Sequence, residues 1–155
     1  MKRNGKLLVA LHALVHLERH SDEPVTSETL AACQDTNPVV IRRTMGLLRD
    51  GGLVRSVKGP GGGWNLARSA EAISLRDISA ALGEPIVDVL DPLSGSDGCL
   101  VVQAVSGVMD TVLRDVRALL ADRLAQLTLA DLAADVAARY AGLHSAPERT
   151  LSHGS

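Results

Sequence analysis

The chain has 155 residues, a length that suits one domain or a small domain with an extension. Hydrophobic residues make up 46 % of it and aromatic ones only 1 %, so the core must be built from Leu, Val, Ala and Ile, and surfaces that stack bases or sugars are disfavoured. The net charge of −2 conceals a division: residues 1–68 hold ten basic against six acidic side chains, and the remainder six against twelve, which points to a polyanionic partner for the first half alone.

The segment "KLLVALHALVHLER" is expected to form a first helix over residues 6–19, with Leu7, Leu11, Leu14 and Val15 at helical spacing. His12 and His16 interrupt its apolar run, and no small-residue cleavage site follows, so it reads neither as a secretory leader nor as a membrane span. A cytoplasmic protein is expected. The two cysteines, Cys33 and Cys99, are then free thiols.

A short second helix is expected from about Ser27 to Cys33, capped by Thr26 or Ser27. After the turn cluster "QDTN", "NPVVIRRTMGLLRDGGLV" gives the sharpest helix signal in the chain. Asn37 is the N-cap and Pro38 takes the first helical position, where its missing N–H costs nothing. Val40 or Ile41, with Thr44, Leu47 and Leu48, supplies the buried side, and Asp50-Gly51-Gly52 ends the helix. Two short helices joined by a tight turn make a helix-turn-helix.

The strand-like runs "LVRSVK" and "GWNLAR" flank "GPGG" and predict a β-hairpin, so that the whole is a winged helix. A phosphate-binding loop is the rival reading, but the glycines lack a Lys-Ser/Thr pair and run into a strand. "SAEAISLRDISAALG" adds a helix capped by Ser74, with Leu75, Ile78, Ala81 and Leu82 facing the core. Residues 84–98 read as a linker. A long helix follows from about Cys99 to Leu127, with Val101, Val105, Val108, Val112, Val116 and Leu119 stepping by threes and fours. Little chain is left to cover that stripe, so a second copy is expected to do so. A shorter helix capped by Thr128 comes next, and a frayed polar tail. The expected organisation is a DNA-binding domain over 1–83, a linker over 84–98, dimerisation helices over 99–143 and a flexible tail over 144–155. The fold class is mainly α, with one small hairpin.

The order "PVTSETLA", "NPVVIRRTMGLLRDGGLVRSVKGPGGGWNLAR", "ISLRDISAAL", a linker with a cysteine, then a long helix resembles the Rrf-two family of bacterial winged-helix transcription regulators. The likeness runs from about Lys6 to Leu129. The family usually shows arginine where Lys58 stands and often tyrosine where Trp64 stands. The resemblance implies a homodimer on a pseudo-palindromic duplex, probed by the first turn of the second helix of the motif. Ser27, Asn37, Pro38, Val39, Arg42, Arg43 and Arg49 are the expected contacts, with Arg42 or Arg43 on guanine edges or phosphate. In the wing, Lys58 is expected on phosphate, and Gly59, Gly61 and Gly62 to let backbone approach the duplex, while Trp64 packs inward.

Cluster-binding members of that family usually carry three closely spaced cysteines before the long helix. Here that stretch has Cys99 alone, so no cofactor and no metal is expected. His12 and His16 have ligand spacing but lack an evident third donor. Cys99, at a helix N-terminus, is the candidate redox sensor, and Cys33 is expected to be a small buried hydrophobe. The function expected is a repressor that answers an oxidant or a small molecule, with no catalysis. The alternative is a winged-helix protein-interaction module, which the arginines of the second motif helix oppose.

Overall fold

The computed structural model describes residues 5–83 and 99–144. The expected linker and the expected tail beyond residue 144 lie outside the described residues. Helix α1 spans Gly5–Arg19 and buries Ala10, Ala13, Leu14 and Leu17, one stripe at three- and four-residue steps. Helix α2 is Ser27–Cys33 and α3 is Pro38–Asp50. The α2 N-cap is Thr26, whose hydroxyl accepts the Thr29 N–H at 3.1 Å. Helix α3 buries Ile41, Thr44, Met45 and Leu48, leaving Val39 and Val40 outside. Its chain reversal falls to Gly52, at φ +74°, rather than to Gly51, which stays right-handed.

Strands β1 (Val54–Val57) and β2 (Gly63–Leu66) pair antiparallel, with Val54 opposite Leu66 and Val57 opposite Gly63. Val25 adds a single rung on the other side of β2 by exchanging two backbone hydrogen bonds with Trp64, at 3.0 and 2.8 Å. The wing is thereby tied to the entrance of α2. Trp64 packs inward as expected, and its indole N–H donates to Ser27 Oγ at 3.0 Å.

A 3₁₀ turn at Ala70–Ala72 leads to α4 (Leu75–Leu82), then α5 (Leu100–Gln126) and α6 (Leu129–His144). Ser74 and Asp77 form a reciprocal capping box at the head of α4, and Thr128 and Asp131 exchange the same pair of bonds at the head of α6. These two heads are themselves joined. Leu75 N–H donates to the Leu127 carbonyl at 2.9 Å and Leu129 N–H to the Ile73 carbonyl at 2.8 Å.

The two C-terminal helices therefore divide. Helix α6 returns to α1 and places Leu129 and Ala133 in the same buried cluster as Leu14, Ile41 and Ile78. It thereby adds to the winged-helix core. Helix α5 rests against α4 and buries only Leu113. No helix among the described residues is long and apolar enough to cross a membrane.

Candidate nucleic-acid interface

The outer face of α3 follows from its caps. Asn37 Oδ1 accepts the Val39 N–H at 2.8 Å and fixes the first turn, with Pro38 as its first residue. Asn37, Val39, Arg42, Arg43 and Arg49 are all exposed, and Pro38 is half-buried. The three arginines are not equivalent. Arg42 reaches across to α2 and pairs with Glu28, Oε1 to Nη2, at 2.5 Å. Arg49 leans on its neighbour Asp50 at 3.3 Å. Arg43 has no ion pair among the described residues, nor has Lys58 at the wing. Exposed pairs of this kind add little stability. Their effect is on direction: Glu28 aims one guanidinium along α2, and Arg43 is left open to an outside anion. Backbone hydrogen bonding at the head of α2, and then the Arg42 guanidinium, hold the Glu28 carboxyl below the usual carboxylate range. The pair therefore persists throughout the neutral range.

Ser27 stands apart from the other expected contacts. It is 7 % exposed, and its hydroxyl already receives the Trp64 indole N–H. It fastens the wing to α2 from inside and does not present a group to the surface. The glycines of the wing also have an internal reason. A Cβ on Gly62 would lie 2.3 Å from the Val57 carbonyl oxygen, and its N–H closes the turn onto the Gly59 carbonyl at 2.9 Å. Gly59 and Gly61 face open space but hold φ at +93° and +73°. The hairpin itself demands these glycines, and the bare tip that results is exposed beside Lys58.

The α5 stripe is on the surface: Val101, Val105, Val108, Val112, Val116 and Leu119 are all exposed in the single chain. Cys99 is the N-cap residue of α5 and exposed. The Val102 and Val101 backbone N–H groups lower its thiol pKa. Cys33 corrects the expectation of burial. It is exposed at the end of α2, and its Sγ lies 3.4 Å from His16 Nε2. A helix of seven residues turns Leu30 and Ala31 inward and Ala32 and Cys33 outward. His12 is exposed, and the His16 ring stacks on His20 at 4.6 Å between centroids.

The Glu28 pair with Arg42 and the internal role of Ser27 go beyond the sequence reading. Glu28 could have been suspected as an acid in the first turn of a helix beside a basic one. The Ser27 hydroxyl could have been sought as the partner that a lone buried indole requires.

A helix-turn-helix with an exposed basic second helix, tied through its first helix to a glycine-tipped wing, is the architecture of a DNA-binding transcriptional regulator. A family described as "Rrf2: Iron-dependent Transcriptional regulator" matches residues 4–135, and the chain belongs to the Rrf2 family. The transcriptional regulator IscR of Erwinia tasmaniensis is 33 % identical over 134 residues, which cover 85 % of this chain and 78 % of the relative. A helix-turn-helix-type regulator of Mycobacterium tuberculosis is 32 % identical over 134 residues, covering 86 % and 81 %. Among solved structures, T. potens IscR superposes with a TM-score of 0.63 at 26 % identity, over 84 % of this chain and 85 % of that one. Both sequence relatives are named transcriptional regulators.

The donor set here does not fit an iron–sulfur cluster. Such a cluster takes about four ligands, mostly thiolates. The chain has two cysteines, and only Cys99 stands near the start of α5, so a partner copy would bring the thiols there to no more than a second. Among the described residues no three His, Cys, Asp or Glu side chains are grouped to hold a metal ion.

Proposed function

We propose that the chain works as a homodimeric repressor. Residues 5–83 and α6 form one folded reading head, and α5 is the arm that meets the partner. The apolar face of α5 pairs with its copy, and each subunit lays α3 in a major groove of an inverted-repeat operator with the wing along the adjoining backbone. Arg43 carries this reading, since it is the exposed arginine of α3 with no ion pair among the described residues. Val39 beside it, 55 % exposed, suits a thymine methyl, and Arg42, held by Glu28, suits phosphate.

Selection from random duplexes at several salt concentrations tests the proposal. An inverted repeat should emerge, with affinity falling steeply as salt rises. Replacing Arg43 with alanine should weaken that binding about 10- to 100-fold, the loss of one good base contact, with no change in melting temperature. No selected sequence at any salt would sink the repressor reading.

The signal is a thiol-reactive oxidant or a small molecule, with Cys99 as the candidate oxidant target. The thiolate is the attacking form, so a lowered pKa moves the rise of reactivity to lower pH. Iodoacetamide should label Cys99 with a pH midpoint below that of the same thiol in urea, and faster than in urea at neutral pH. Equal midpoints in the folded and unfolded chains would remove the thiol's advantage.

A further inference from the structure

The C-terminal end of α2, the outer side of α1 and the inner side of α6 enclose a cleft of about 610 Å³ that the DNA-binding face does not use. Leu8, Leu11, Leu132 and Val136 give it an apolar lining. Cys33, His16, His20 and Arg19 add polar groups to it, with the Arg19 guanidinium 5.0 Å from the centre of the Tyr140 ring. Cys33 is the sole thiol lining it. Pockets of this size take small organic molecules, and a lining that mixes leucines with polar groups suits a ligand with an apolar tail and one polar end.

The cysteine is not isolated. Its Sγ meets His16 Nε2 at 3.4 Å, while His16 Nδ1 is buried without a hydrogen-bond partner among the described residues. Burial, then the neighbouring His20 and His12, push the His16 pKa down, which favours the neutral ring, and in its Nδ1–H tautomer Nε2 has a lone pair for the thiol proton. A thiol and a neutral imidazole in contact form the nucleophile–base pair of covalent chemistry.

We propose that this cleft is an effector site for apolar α,β-unsaturated aldehydes and that Cys33 is the residue they modify. The tail lies on the leucines and the carbonyl oxygen faces Arg19. The Cys33 proton passes to His16 Nε2 while the sulfur lone pair bonds to the β-carbon. The C=C π pair moves to the enolate, and the proton returns from His16 to the α-carbon. The product is a thioether bearing a saturated aldehyde, with nothing oxidised or reduced overall. The consequence for DNA rests on the repressor reading given above. Helix α2 has seven residues: Cys33 ends it in the cleft, while Ser27 and Glu28 in its first turn hold the wing and Arg42. A bulky adduct at one end therefore shifts both reading elements at the other.

The test treats the full chain with nonenal or with acrolein, which share the reactive group but differ in the tail, and maps adducts by peptide mass spectrometry. Cys99, which does not line this cleft, is the internal reference. The nonenal-to-acrolein rate ratio should be at least about tenfold higher at Cys33 than at Cys99, as burial of several methylenes implies. Nonenal should also release the selected duplex, and Cys33→Ser should bind that duplex normally and ignore nonenal. Equal ratios at the two thiols would overturn the site. Selective labelling of Cys33 without release of bound duplex would overturn its effector role. The labelling needs no DNA, so a chain that selects no duplex would count against the repressor reading and leave the cleft to be judged by the rate ratio.

Discussion

Changing Val105 and Val112 together to aspartate should convert the proposed homodimer into monomers and weaken its operator binding about 100- to 10,000-fold, the span by which linking two binding modules raises their joint affinity. The two residues lie seven apart on one face of α5, and both are exposed in the single chain. A carboxylate there is hydrated in the monomer, but pairing would bury it without a partner charge. The folded head should be untouched, since neither side chain belongs to its core. Sedimentation velocity, thermal melting and duplex binding on one preparation separate the effects. Loss of dimer with an unchanged melting temperature is expected. A variant that remains dimeric would place the interface on another surface.

The second large effect concerns stability. Trp64→Ala should cost about 3–5 kcal/mol, the usual range for removing a large buried aromatic. The indole sits at the meeting of the wing, the Val25 rung and α2, and is the only tryptophan available to fill that space. Trp64→Phe divides the loss. It keeps most of the ring volume but removes the N–H, leaving the buried Ser27 hydroxyl without its donor, and should cost about 1–3 kcal/mol. Urea unfolding followed by circular dichroism measures both. Equal losses for Ala and Phe would mean that the hydrogen bond, not the ring volume, dominates.

What the sequence disclosed was mostly local. The start of α3 could be placed because Asn37 and Pro38 carry their own instructions, one as a side-chain acceptor and the other through a fixed φ. The wing was equally plain, because a run of glycines between β-formers has few other uses. What stayed hidden depended on contacts across the chain. Leu129, Leu132, Ala133 and Val136 repeat at helical spacing much as the valines of α5 do. Periodicity shows that a helix has an apolar face, not whether its own core or a second molecule covers it. Ser27 and Trp64 are 37 positions apart, and Glu28 and Arg42 are 14, so neither pair could be matched before folding. Cys33 was misjudged through its small neighbours, where the phase of a two-turn helix decided the matter.

The backbone bonds joining the heads of α4 and α6 give α5 a fulcrum. The long helix is held at Leu127 by the Leu75 N–H, beside two capping boxes, and along its length buries only Leu113. Over 27 residues it is a lever about 40 Å long. A tilt of about 5° at the held end carries the far end roughly 3–4 Å, on that length. In the homodimer proposed above, a slight rotation at this one joint would reset the distance between the two reading heads while each head keeps its shape.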